Sequence, residues 1–190
     1  MPSFALLAPR TARHRRRLLA WAQARRGATA VEFALILMPF LVLMMGILEV
    51  AMIFFVASTL EAAVGESARL IRTGQFQADP RAVADPVGVF REEVGRRTFG
   101  MINLDDGLYF DVRTFSDFDS VNANSGLQDI LAGNPPDTFD PGRAEEIVVV
   151  RAYYEWQIMT PLMAPIMANL GGDRRVVAAS AAFRNEPFAL

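Results

Sequence analysis

The stretch that decides the fold is FALILMPFLVLMMGILEVAMIFFVA, Phe33–Ala57, in which Glu49 is the one ionisable side chain. Its length, 57 − 32 = 25 residues, exceeds the roughly 20 that a helix needs to cross a hydrocarbon core of about 30 Å. The run predicts a membrane-spanning helix. It is too long, and too continuous with the sequence after it, to be the apolar region of a cleaved secretory signal, which is about 7–15 residues.

On the N-terminal side of this run, seven arginines (Arg10, Arg13, Arg15, Arg16, Arg17, Arg25 and Arg26) precede the first acid, Glu32; on the other side the nearest basic residue is Arg69. This bias predicts a cytoplasmic N-terminus and an external C-terminal part. The formal charge of −2 hides the division: 19 − 7 = 12 arginines face 21 acids beyond residue 27, which leaves 12 − 21 = −9. An outer part so acidic is a poor partner for nucleic acid. With 190 residues and 52% apolar content, the chain has enough material for one core.

Beyond the span, STLEAAVGESARLIRTGQ places Leu60, Val64, Ala68 and Ile71 four, four and three residues apart, a single apolar stripe. Glu66 and Arg69 lie within reach at i,i+3, and Gly74 follows the last periodic residue as a stop. The pattern predicts one helix from about Ala28 to Thr73, on the order of 70 Å long. Three segments follow from it: a basic cytoplasmic leader, 1–27; a long helix, 28–74, with its span at 33–57; and an outer α+β domain, 75–190.

At the mouth of the span, RRGATAVEF sets Glu32 four residues after Ala28. A carboxylate within a span costs roughly 2.5–3.5 kcal/mol on insertion scales, less near an interface, so it calls for a cation. Cleavage after Gly27 would supply one, the α-amine of Ala28, and pairing of that amine with Glu32 in the same or a neighbouring chain would mark the register of packed spans. Glu49 sits deeper. It invites pairing with a cation of a neighbouring span, but a protonated or water-contacting glutamate explains it equally.

The segment from Gly27 through Glu32 and Phe33, behind an arginine-rich leader, resembles the processing site of type IV prepilins of the Flp and Tad branch. LEVAMIFFVASTLEAAVGESARLIRTGQ, YYEWQIMTPL and AASAAFRNEPF are similar to segments of the TadE-like pseudopilins, membrane proteins of the tight-adherence pilus machinery. The resemblance implies cleavage by a prepilin peptidase, with Gly27 the last leader residue, Ala28 the mature N-terminus, Glu32 the recognition and assembly carboxylate and Phe33 the aromatic beside it. It also implies a bacterial inner-membrane location and partners among the other pseudopilins and the pilin, the inner-membrane assembly platform and the lipid membrane. The alternative is an uncleaved signal-anchored protein with an outer interaction domain.

The outer part reads as a helix over Asp85–Thr98, with Asp85 as N-cap and Pro86 at the first helical position, and as strands over Gly107–Ser116, Glu145–Ile158 and Arg174–Arg184. Three antiparallel strands with one apolar face, packed on the stripe of the long helix, give a pilin-like plan. Ser116–Gly142 is a polar loop with a turn of helix at Leu127–Leu131. Its acids do not fit a calcium loop, because Val121, Asn122 and Gln128 stand where a ligand, the glycine and the bidentate glutamate belong. MTPLMAPIMANL, Met159–Leu170, is too short to span; it reads first as a proline-interrupted helix against the core, otherwise as an apolar contact for another subunit or the membrane surface.

Enzyme function finds little support. His14 is the single histidine and lies in the leader, and there is no cysteine and no lysine, hence no thiol nucleophile, thiolate metal site or P-loop. No cofactor and no metal are expected.

Overall fold

A computed structural model describes residues 25–121, 125–136 and 138–189. Most of the predicted leader, 1–24, lies outside the described residues, as does Asn122 of the acidic loop. The elements run α1 (Arg25–Arg72), α2 (Pro80–Ala84), α3 (Pro86–Arg97), β1 (Leu108–Phe115), α4 (Ser125–Leu131), β2 (Thr138–Phe139), β3 (Ile147–Gln157), α5 (Ala164–Met167) and β4 (Arg174–Arg184). Two compact units divide the chain at Met45 and Gly46.

The first unit is helical throughout its described part, and its large apolar side chains, from Val31 to Met45, are mainly exposed. Within α1 the segment from Gly27 is long and apolar enough to cross a membrane by length and composition.

The second unit is α+β and is built around the predicted stripe. Leu60, Val64, Ala68 and Ile71 are all buried, joined by Val56 and Ala63. The apolar run Phe33–Ala57 thus serves two environments, since its C-terminal end already contributes Val56 to a folded core. Glu66 and Arg69 pair at 3.6 Å on the solvent side.

The sheet order is β2-β1-β3-β4. β1, β3 and β4 are the three predicted strands and are antiparallel, with Phe110 opposite Ala152, and Ala152 opposite Ala179. The sheet is mixed rather than wholly antiparallel, because β2 adds two residues parallel to β1. That strand was invisible to alternation: two residues carry no period. With side chains alternating between faces, Phe110 and Val112 of β1, Val148, Val150 and Ala152 of β3, and Val177 and Ala179 of β4 join the α1 stripe in one core.

α3 closes this core with Phe90 and Val94. Phe90 stands edge-on to Phe76, Phe110 and Phe139, with ring centroids 6.1, 5.1 and 5.4 Å away; such pairs add about 0.5–1.5 kcal/mol beyond their burial. The helix starts as the sequence predicts. The side chain of Asp85 accepts from the Gly88 amide at 2.8 Å, and Pro86 occupies the first turn.

The end of α1 is joined to the C-terminus of the chain. The Glu186 amide donates to the Arg72 carbonyl at 2.8 Å, supplying a partner to one of the last helical carbonyls. Gly74 has φ +77, and a Cβ there would lie 2.5 Å from Cγ of Phe188. Both the left-handed backbone and the ring against it require glycine.

Candidate functional site

Gly27, Ala28, Glu32 and Phe33 lie in the N-terminal part of α1 and are exposed. Helical spacing puts Ala28 and Glu32 on one face, one turn apart. Among the described residues, a Cβ on Gly27 would meet nothing within 4 Å, so no packing against them demands glycine there.

Glu49 is 2% exposed, and the groups around it come from the far end of the sequence. The Trp156 indole Nε1 donates to Oε1 at 3.1 Å, and the Met159 amide reaches Oε1 at 3.2 Å and Oε2 at 3.1 Å. The Thr160 amide and hydroxyl donate to Oε2 at 2.9 and 3.0 Å. All four groups are neutral donors, the complement of an acceptor-only carboxylate. The chain itself provides these donors, from the end of β3 and the loop after it.

That loop also meets α1 at Gly46, where a Cβ would come 3.2 Å from the Met163 sulfur. Ala164 is buried, but Met159, Leu162 and Ile166 are 59, 61 and 78% exposed. The reading of Met159–Leu170 as a core helix is corrected to a short turn of helix, Ala164–Met167, with its largest apolar side chains outside the core. Pro161 and Pro165 limit helix length there, since neither can donate to an interior turn.

Residues 27–69 match the family model of the TadE-like proteins. The TadE-like segment begins at the glycine singled out as the processing residue and runs to Arg69, so it contains Glu32, Glu49 and the buried stripe. No curated protein and no solved structure matches the chain. Trp156, Met159 and Thr160, which donate to Glu49, and Met163, which lies against Gly46, are beyond the TadE-like segment.

Sequence reasoning passed over these partners. Their one signal is polar: Thr160 interrupts an apolar run, and Trp156 brings an indole N–H to the end of a strand. It also passed over Asp111, fully buried and opposite Arg151 in the ladder, with Arg151 Nη1 3.2 Å and Arg113 Nε 2.5 Å from its carboxylate. A buried charge needs a partner, so an arginine inside IVVVRAYY and an aspartate inside LYFDV could have been matched to each other. In the acidic loop, Asp117 uses Oδ1 to accept from the Ser120 amide at 2.7 Å, closing a local turn.

Proposed function

We propose that this protein is a TadE-like pseudopilin of the Tad/Flp pilus, made with a basic cytoplasmic leader, held by one inner-membrane span and cleaved after Gly27 by a prepilin peptidase. The observation that carries the reading is that the TadE-like match starts at Gly27, directly before Ala28 and one helical turn from Glu32.

The physical argument runs from the residues. Glycine weakens a helix by about 1 kcal/mol relative to alanine, so the first turn of α1 can open around the Gly27–Ala28 bond for a protease. Cleavage creates an amine at Ala28 with an ordinary pKa near 8, and that amine neutralises Glu32 of its own or a neighbouring chain. Side-by-side packing of apolar helices then fixes their stagger, because any other register leaves a charge unpaired in lipid. The outer sheet, packed on the upper stripe, faces the periplasm and meets the other pseudopilins, the pilin and the assembly platform. Catalysis belongs to the peptidase, not to this chain.

The test is the N-terminal sequence and intact mass of the protein extracted from host membranes, with and without the peptidase. A chain beginning at Ala28 only when the peptidase is present is expected, and Gly27→Leu should abolish that product by filling the protease subsite. Retention of residues 1–27 in both strains would make the protein an uncleaved, signal-anchored one instead.

A further inference from the structure

We infer that the loop after β3, Met159–Met167, is a second membrane contact, inserted beside α1 at the acyl and headgroup boundary of the bilayer. The inference rests on reading α1 as a membrane span. Four observations place lipid, rather than solvent or another protein, around the loop.

The first is its level on the helix. The loop touches α1 at Gly46 through Met163 and at Glu49 through Met159 and Thr160. The large exposed apolar side chains of α1 continue past that level to Phe54 and Phe55, which are 72 and 54% exposed. Glu49 precedes Phe55 by 55 − 49 = 6 residues, about 9 Å of helix. Whatever apolar medium covers Phe54 and Phe55 also surrounds the loop, at a depth that matches the roughly 5–10 Å to which interfacial segments bury their apolar face.

The second is composition. Ile158–Leu170 contains no ionisable side chain, while Glu155, Asp173, Arg174 and Arg175 flank it. Leu162 and Ile166 are exposed, and Trp156, near the end of β3 and three residues before the loop, is placed as interfacial aromatics are.

The third is the backbone. Lipid offers no partner to a peptide N–H, so an inserted segment must satisfy its own. Residues 158–168 number 11, of which Pro161 and Pro165 have no N–H, leaving 11 − 2 = 9; seven of these nine donate to acceptors within the chain. A solvent-exposed loop has no need of this.

The fourth is Glu49 itself. A carboxylate at this level of an apolar helix is costly in lipid, and so are the free amides of Met159 and Thr160. Each satisfies the other, which lets a non-helical segment enter the interface against the span. Arg175, whose Nη1 donates to the Met167 carbonyl at 2.8 Å, sets a cation at the end of the loop, where lipid phosphates lie.

The chain has no cysteine, so single cysteines at Phe40, Val83, Leu162 and Ile166 can each carry an environment-sensitive fluorophore. The full chain is placed in vesicles of phosphatidylcholine and phosphatidylglycerol, with and without brominated acyl chains. Quenching at Leu162→Cys and Ile166→Cys within about twofold of that at Phe40→Cys is expected, with none at the exposed Val83→Cys. Quenching at Phe40 alone overturns the inference and leaves the span intact. A blue shift at Leu162 and Ile166 without bromine quenching also overturns it, by showing that protein covers the loop. No quenching at Phe40 overturns both the span and the inference.

Discussion

Replacing Glu49 by alanine removes both acceptor oxygens from four donors and tests whether this carboxylate holds the loop after β3 to the helix. Hydrogen bonds to charged groups contribute about 1.5–3 kcal/mol each, so four nominally give about 6–12 kcal/mol. Desolvating the carboxylate offsets several kcal/mol of that. In Glu49→Ala the Trp156 indole and the Thr160 hydroxyl can turn to other partners, but the amides of Met159 and Thr160, at 3.1 and 2.9 Å from Oε2, cannot. Two orphaned amides cost about 1–3 kcal/mol each, and the loop limits that cost by opening. A net loss near 3 kcal/mol of local stability follows, which is a factor of about 10² in the opening equilibrium. Hydrogen exchange of the Met159 and Thr160 amides, measured on the full chain in lipid, should accelerate by that factor. The amide of Val150, deep in β3, should not change. Glu49→Gln keeps one acceptor oxygen and should give an acceleration of about tenfold. Exchange at Met159 and Thr160 that is already unprotected in the native protein, or unaltered in Glu49→Ala, would refute the reasoning.

Gly74→Ala should destabilise the outer unit by about 2–4 kcal/mol, because it combines a positive φ with a Cβ driven into Phe188; denaturant unfolding measures it, and adding Phe188→Ala should recover the steric part but not the backbone part. If the chain is processed as proposed, Glu32→Ala should still be cleaved but impair pilus assembly, since it would delete the partner of the new amine; normal piliation in that mutant would sink the pairing. The Arg81 side-chain hydrogen bond holds Asp79 below its ordinary carboxyl value of 3.8. A depressed folded value means its stabilisation is present above pH 3.8 and is lost as pH falls through the lower folded value. Asp79→Asn, which keeps a capping oxygen, should therefore flatten that acid limb of the stability profile around α2, with hydrogen exchange of the Arg81 amide as the readout.

The long helix was legible because one-dimensional signals suffice for it. Phe33–Ala57 is apolar at every position but Glu49, and the period of Leu60, Val64, Ala68 and Ile71 names the face that must be covered. The cap of α3 at Asp85 and the three main strands were legible for the same reason: capping and alternation are local. Two-residue β2 and the five-residue α2 fell below any period, and the latter is recognisable only by Asp79 and Pro80 at its start. Apolar character alone also cannot separate a lipid-facing residue from a core residue, which is why the run to Ala57 gave no hint that Val56 is core and Phe55 is not.

By itself the sequence determined that a long apolar helix follows an arginine-rich segment, that Ala28 and Glu32 stand one helical turn apart just after Gly27, and that a stripe beyond the apolar run needs a cover. These follow from spacing and charge along one helix, where neighbours in space are neighbours in sequence. Only the tertiary structure decided what surrounds Glu49, because its donors at Trp156, Met159 and Thr160 come from more than a hundred residues away. The pairing of Asp111 with Arg151 and of Gly74 with Phe188 was likewise set by the sheet register and by the return of the C-terminus to the helix end. A polar or strained group announces that it needs a partner; which partner it gets is fixed only when the chain folds back upon itself.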